Sequence, residues 1–371
     1  MTAVTLGILR ERAPGERRVA ATPETVRKFI ARGARVLIEP DAGASAGFVD
    51  AAYAEAGAET LAAGDILAAC DMLLSVQPPP DEALDLLKPG AAIVGLLAPQ
   101  ASDTRAARIR ERGLVAFPLE RLPRTTRAQS MDVLSSQAGM AGYKAVLIAA
   151  TLAPRFFPML TTAAGTIRPA KVLVIGAGVA GLQAIATAKR LGAQVEGFDV
   201  RPETREQIES LGGRFLDLGV SAAGEGGYAR ALSDEERAEQ QKRLGAHLGS
   251  VDVVVCTAAV PGRPAPKIVT QDMVAGMKPG SVIVDLPAES GGNCEATVPG
   301  ETRDVGGVTV AGPLALASMG ALQASEMYAR NVLNFVSLFV DKGELAFDWS
   351  DELLARTVWP ERETAAASAA A

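Results

Sequence analysis

Residues 171–199 read "KVLVIGAGVAGLQAIATAKRLGAQVEGFD", and the order of the parts within them decides the fold. Lys171 to Ile175 is a short apolar run of the kind that forms a strand buried on both faces. Gly176-x-Gly178-x-x-Gly181 opens a helical pattern, "QVEGF" reads as the next strand, and Asp199 ends it roughly 20 residues on. A lone G-x-G-x-x-G says little, but strand, glycines, helix, second strand and terminal acid in this order form the dinucleotide-binding fingerprint of a βαβ unit. Gly176 makes the tight turn, and Gly178 lets a pyrophosphate approach the backbone at the helix N-terminus. Gly181 lets the helix pack close to the strand. Asp199 can accept hydrogen bonds from both ribose hydroxyls and repels a 2′-phosphate, which favours NAD over NADP. Arg201, two residues later, softens that preference.

Outward from this unit, short β-rich runs alternate with helical patterns. "VTLGIL" (4–9) reads as a strand, and "TPETVRKFIARG" follows with Thr22 as N-cap, Pro23 at the first helical position and Gly33 as the stop. "RVLIEP", "DMLLSV", "AAIVGLL" and "LVAFPLE" continue the strands, with "DEALDLLK" and "TRAARIRERG" as helices between them. From Gln129 to Leu152 the pattern is helical for longer than elsewhere, and the segment from Ser318 to Val340 is a second long apolar helix. After the fingerprint, "VDVVVCTAA", "SVIVDLP" and "VTVAGP" extend a second strand series. The expected class is α/β: two Rossmann-like domains with mostly parallel sheets flanked by helices, joined by long crossing helices. The expected division is 1–134 plus 326–371 for the first domain and 135–325 for the second, dinucleotide-binding one.

Composition narrows the function classes. The chain has 371 residues, enough for two ordinary cores, and 37 Lys+Arg against 43 Asp+Glu give a net charge of −6. The signs are interspersed, which argues against nucleic acid or a membrane surface as the main partner. Cys70, Cys256 and Cys294 have no C-x-x-C spacing, so neither a disulfide framework nor a zinc site is expected, and a reducing compartment is. No apolar run reaches the roughly 20 residues of a spanning helix.

The chemistry concentrates in "RTTRAQSMDVLSSQ", 124–137, where Arg124, Gln129, Asp132 and Ser135 crowd together without a histidine. A dehydrogenase acting on an alcohol or amine moves a proton with the hydride, commonly through His, Lys or Tyr. The single histidine, His247, lies toward the end of a surface helical pattern and reads as structural. Hydride exchange between two nicotinamides needs positioning groups instead, and an arginine, an amide, a carboxylate and a hydroxyl suit a carboxamide. The bland alternative is that Asp132 and Ser135 cap the long helix while Arg124 is solvated. "SAAGEGGYARALSDEERAEQQKRL" places glycines around Tyr228 and reads as a mobile lid beside the nucleotide, or as a surface excursion.

These stretches carry a resemblance. "RERAPGERRVAATPETV", "RAQSMDVLSSQ", "GAGVAGLQAIATAKRLGA", "FDVR", "GGYAR", "PGRPAP", "MKPGSVIVDL" and "GGNC" are similar to the NAD(H)-binding component, domain I or the alpha subunit, of proton-translocating nicotinamide nucleotide transhydrogenase, within the alanine dehydrogenase/transhydrogenase superfamily. The resemblance implies that the loop bearing Arg124, Thr125, Thr126, Gln129, Asp132 and Ser135 holds the nicotinamide end of NAD(H), with Gln129 bridging toward NADP(H) on a partner domain. It places Val179, Asp199, Val200 and Arg201 along the dinucleotide, Tyr228 at the tip of a mobile loop, and Gly227, Gln240 and Ala259 at further NAD contacts. It implies a homodimer at the cytoplasmic face of the inner membrane, docked through an NADP(H)-binding beta subunit (domain III) on a membrane proton-channel domain II. Ser75 stands where relatives commonly show lysine, and "AGPLALASMGAL" lacks the usual Asn-x-Pro-Ser pattern. The competing functions are an alanine-dehydrogenase-like enzyme for a small amino acid, whose branch places a Lys and a His near "SVQPP" and "GLLAP", and a non-catalytic NAD-binding sensor.

Overall fold

The computed structural model describes residues 3–99, 103–219, 232–260 and 262–361. The chain divides into two compact units, 1–137 with 320–371, and 138–319. The first division falls within the helix Val133–Leu152 and the second at Gly320, just ahead of the helix Ala321–Val336.

The first unit is built on six parallel strands, β1 (Thr5–Ile8), β2 (Arg35–Ile38), β3 (Glu59–Thr60), β4 (Met72–Leu74), β5 (Ala92–Gly95) and β6 (Val115–Pro118), in the order β3-β2-β1-β4-β5-β6. Leu6 pairs with Val36 on one side and Met72 on the other, in parallel register. Because helices cover both faces, the central strands are apolar without alternation: every residue of β1, β4 and β5 is buried. The first helix, Pro23–Ala31, starts where its caps direct. Thr22 Oγ1 accepts from the Thr25 N–H at 3.4 Å, Pro23 occupies the first turn, and Gly33 leaves the helix at φ 86°. The returning helix Ala321–Val336 buries Tyr328, Val332, Phe335 and Val336 against this sheet. Phe117 of β6 meets Phe339 in a stacked pair with centroids 5.3 Å apart and Phe335 edge-on at 5.4 Å, so the segment 335–339 helps to complete the first core.

In the second unit the helix to Leu152 is followed by an antiparallel hairpin, β7 (Leu160–Thr162) and β8 (Gly165–Ile167), which the sequence reading did not anticipate. Its main sheet contains β9 (Lys171–Ile175), β10 (Gln194–Phe198), β11 (Arg214–Phe215), β12 (Val253–Cys256), β13 (Val282–Asp285), β14 (Thr302–Val305) and β15 (Val308–Ala311) in the order β11-β10-β9-β12-β13-β15-β14. All neighbours run parallel except the β14–β15 edge hairpin. Both sheets are doubly wound, reversing direction beside their first strand, where such folds leave a ligand crevice at the strands' carboxyl ends.

The long helix expected from Gln129 starts at Val133. Thr126–Met131 forms 3-10 turns instead, with Asp132 extended at the junction. The local reason is a cap: Asp132 Oδ1 accepts from the Ser135 N–H at 3.0 Å and Oδ2 from the Ser135 hydroxyl at 2.6 Å. All three cysteines are buried and free, and burial pushes the Cys70 thiol up to about 12.

Candidate functional site

In the second unit three loops leave the carboxyl ends of adjacent parallel strands, β10, β9 and β12. The β9 loop is the glycine turn. Gly176 sits at φ 94°, and a Cβ there would lie 2.8 Å from the Thr257 hydroxyl. At Gly181 a Cβ would fall 1.9 Å from the Gly176 carbonyl oxygen, so the helix Val179–Arg190 can press on the turn only with glycine at this point. Gly178 differs: among the described residues a Cβ there would meet nothing within 4 Å, and no side chain caps the helix. The first amides of this twelve-residue helix thus have no side-chain cap among the described residues and the backbone at Gly178 can be approached closely, which suits a pyrophosphate.

The β10 loop carries Asp199. Its Oδ2 accepts from the Ala177 N–H at 2.7 Å and from Arg201 Nη2 at 2.7 Å, and its Oδ1 accepts from the backbone N–H and Nε of Arg201, both at 2.9 Å. The fingerprint acid is thus tied to the glycine turn by one bond and to Arg201 by three. Val200 packs against the core on the β10–β12 side of the sheet.

The β12 loop is held from a distance. Thr257 donates its hydroxyl to the carbonyls of Ile175 and Gly176, both at 3.0 Å, filling the corner the two glycines leave open. Asn293 accepts from the Ala258 N–H at 3.0 Å and donates to the carbonyls of Ala258 and Pro266, both at 2.8 Å. Asn293 is held in turn by Asp285, fully buried at the end of β13. That carboxylate accepts from the Asn293 and Cys294 N–H groups at 3.0 and 2.9 Å and from the Thr297 hydroxyl at 2.6 Å. Ala259, the expected contact, is the exposed residue next to this clamp.

Thr257, Asp285 and Asn293 are functional candidates that the motif reading did not assign. One sequence signal for Asp285 exists: like Asp199, it ends a buried apolar strand. Gln240 is buried within the helix Asp234–Leu248, which Ser233 and Glu236 start with a capping box. Gly227 and Tyr228 lie outside the described residues. His247 bonds Glu196 Oε2 through Nε2 at 2.5 Å, and Glu196 also pairs with Arg214; burial raises the Glu196 pKa, but these two partners outweigh it and hold it low.

In the first unit the stretch 124–135 is staked by two adjacent pairs, Arg127 with Ala128 and Ser130 with Met131. Ala128 and Met131 enter the core, Arg127 pairs with Asp351, and the Ser130 carbonyl accepts from Asn331 Nδ2 at 2.8 Å and Asn334 Nδ2 at 3.0 Å. Arg124, Thr126 and Gln129 are left exposed on this platform, beside the Asp132–Ser135 cap. Thr125 presents a buried hydroxyl with no hydrogen-bond partner among the described residues, a group that calls for a ligand or water.

The same unit buries charge at the carboxyl ends of β1 and β4. Arg18 donates through Nε and Nη2 to Glu16 at 2.8 and 2.6 Å and through Nη1 to Gln137 at 2.8 Å. Glu11 accepts from the Val76 and Gln77 N–H groups, yet burial pushes its carboxyl up to about 7. The Ser75 hydroxyl is buried without a partner among the described residues, while its carbonyl accepts from Tyr328 at 2.7 Å.

The family profile of the alanine dehydrogenase/PNT N-terminal domain matches residues 7–141, and that of the C-terminal domain matches 145–364. An NAD(P) transhydrogenase alpha-subunit chain of Rhodospirillum rubrum is 44% identical over 347 residues, which cover 91% of this chain and 90% of that protein. The crystal structure of a transhydrogenase from Sinorhizobium meliloti superposes with a TM-score of 0.88 at 42% identity, covering 96% of this chain and 98% of that one. An L-alanine dehydrogenase structure gives a TM-score of 0.79 at 25% identity, over 96% and 94% of the two chains. Matched along nearly its whole length in sequence and in fold, the chain belongs to the alanine dehydrogenase/PNT family.

Proposed function

We propose that this chain is the NAD(H)-binding component of a proton-translocating NAD(P) transhydrogenase, and that NADP(H) is held by a partner domain. The observation that carries the reading is one Gly176-x-Gly178-x-x-Gly181 turn in a chain 44% identical to a transhydrogenase alpha subunit. A bound pair of nicotinamides supplies direct hydride transfer between their C4 atoms, with no proton to move. The residues of this chain then bind and orient. The uncapped amides after Gly178 hold the pyrophosphate, Asp199 and Arg201 govern the ribose, and Thr257 and Asn293 fix the loop of Ala259. Arg124, Thr125, Thr126, Gln129, Asp132 and Ser135 orient the carboxamide, with the unpartnered Thr125 hydroxyl as the local support.

The alanine-dehydrogenase reading is chemically weaker. At the carboxyl end of β4 stands Ser75 in place of lysine, and the nearby Arg18 is committed to Glu16 and Gln137. Homodimerisation is supported by the β7–β8 hairpin, which exposes Leu160 and Ile167 next to Met159 and Phe156, an apolar surface that a second copy would cover. No helix among the described residues is long and apolar enough to cross a membrane. Proton movement and attachment at the cytoplasmic face of the inner membrane therefore fall to partner subunits.

The test is stopped-flow spectroscopy with NADH and an acetylpyridine or thio analogue of NADP. The chain alone should show negligible transfer, and adding an NADP(H)-binding transhydrogenase domain should produce rapid exchange. Robust turnover by the chain alone, or alanine-dependent reduction of NAD, refutes the reading.

A further inference from the structure

We propose that Arg201 is a specificity-determining latch, whose guanidinium occupies the acceptor positions of Asp199 that a ribose diol must take, so that a dinucleotide enters by displacing it. The inference rests on the assignment of Asp199 to the ribose.

A carboxylate offers about four lone-pair positions. At Asp199 four donors fill them, two on each oxygen. Two of these donors are backbone N–H groups, of Ala177 and Arg201 itself, fixed by the glycine turn and by the strand end. The other two are Nε and Nη2 of the Arg201 guanidinium, one on each oxygen, at 2.9 and 2.7 Å. They are the only pair that can leave without unfolding the loop, and they match a cis-diol in number and arrangement: two adjacent donors, one per carboxylate oxygen. The side chains are 7% and 17% exposed, so water does not compete effectively for the same positions. Without the latch a buried anion would be left with two unmet acceptors.

The latch has a consequence for selectivity. Once displaced, the cation remains tethered two residues from the acid and offsets its repulsion of a 2′-phosphate. Removing Arg201 should therefore tighten NADH binding and at the same time widen the preference for NADH over NADPH. A simple contact residue would give the opposite sign, since its loss weakens NADH binding.

Calorimetric titration of the full chain and of Arg201→Gln and Arg201→Lys, with NADH, NADPH, 5′-AMP and 2′,3′-dideoxy-5′-AMP, decides the matter. Arg201→Gln should bind NADH and AMP roughly three- to tenfold more tightly, with no gain for the dideoxy nucleotide and a larger NADPH-to-NADH ratio of Kd values. Arg201→Lys keeps the charge but loses the fork, so it should show a smaller gain with the ratio little changed; it carries the comparison if the glutamine variant does not fold. Unchanged or weaker NADH binding by both variants, or an equal gain for the dideoxy nucleotide, overturns the latch while leaving the cradle assignment intact. Failure of the unaltered chain to bind NADH would instead overturn the assignment on which the latch rests.

Discussion

The carboxamide of Asn293 holds both backbone groups of Ala258, accepting from its N–H at 3.0 Å and donating to its carbonyl at 2.8 Å. Asn293 is fully buried and is itself fixed by Asp285 through its own N–H. The loop after β12 thus takes its shape from a residue 35 positions further along the chain. Asn293→Ala should weaken NADH binding at least about tenfold, roughly 1.4 kcal/mol, by releasing the loop of Ala259. Asn293→Asp should be worse, because it replaces two donated bonds with an unpaired buried charge. Titration calorimetry alongside thermal melts checks both; wild-type affinity in a folded alanine variant would remove Asn293 from the site.

Asp132 both caps a helix and stands in the proposed nicotinamide loop, and one substitution separates the two roles. Asparagine is as good an N-cap as aspartate, so Asp132→Asn should melt close to wild type, whereas Asp132→Ala should lose about 1 kcal/mol. If the charge orients the carboxamide, Asp132→Asn should still slow single-turnover hydride transfer at least about tenfold in the reconstituted complex, as should Arg124→Ala. Gln129→Asn should impair transfer more than NADH binding. Normal rates in all three would reduce Asp132 and Ser135 to the cap alone.

In the proposed function, cofactor choice rests on Asp199. The chain should bind NADH more tightly than NADPH, and Asp199→Ala should narrow the gap by roughly 1–3 kcal/mol through lost charge-assisted bonds and lost repulsion. Competitive titration that finds NADPH the tighter ligand of the unaltered chain contradicts this.

Two glycines on one helix should respond in opposite directions to alanine. At Gly142 a Cβ would lie 2.0 Å from the Ala180 carbonyl oxygen, and at Gly139 it would meet nothing within 4 Å among the described residues. Gly142→Ala should therefore cost roughly 1–3 kcal/mol or more by forcing the two helices of the second unit apart. Gly139→Ala should be neutral or stabilising by up to about 1 kcal/mol, since alanine is the better helix former. Urea denaturation of the pair is the check, and equal effects would mean that the close approach at Ala180 is not needed.

Glu11 predicts a pH dependence. Burial pushes its carboxyl from the ordinary 4.5 to about 7, against the lowering effect of the Val76 and Gln77 N–H donors. The folded chain therefore holds a proton that the unfolded chain releases. This contribution to stability is fully present below pH 4.5 and is lost as the pH rises through 7. Urea midpoints measured between pH 4.5 and 8 should fall more steeply in wild type than in Glu11→Gln. Parallel curves for the two proteins would place the Glu11 titration elsewhere.

Whatever acts over a few residues is legible in the order of amino acids. Thr22, Pro23 and Gly33 set the first helix within one turn of each end, the apolar runs of β1 and β9 announced strands covered on both faces, and the glycines marked the tight turn after β9. These signals can be read because capping, burial periodicity and positive φ are local physics. The 3-10 start at Thr126 was less so, since it depends on Ala128 and Met131 reaching a core and on Asn331 and Asn334 bonding Ser130 from about 200 residues away. Other features exist only in the folded chain: Asn293 shapes the loop of Ala258, Thr257 fills the corner between Gly176 and Gly181, and Gly142 admits Ala180. The closing of the Arg201 fork on Asp199 is of the same kind. Each of these depends on which atoms the folded sheet brings within bonding distance. Composition and periodicity fix which faces are buried, but a hydrogen bond between distant loops is specified only once the strands have paired.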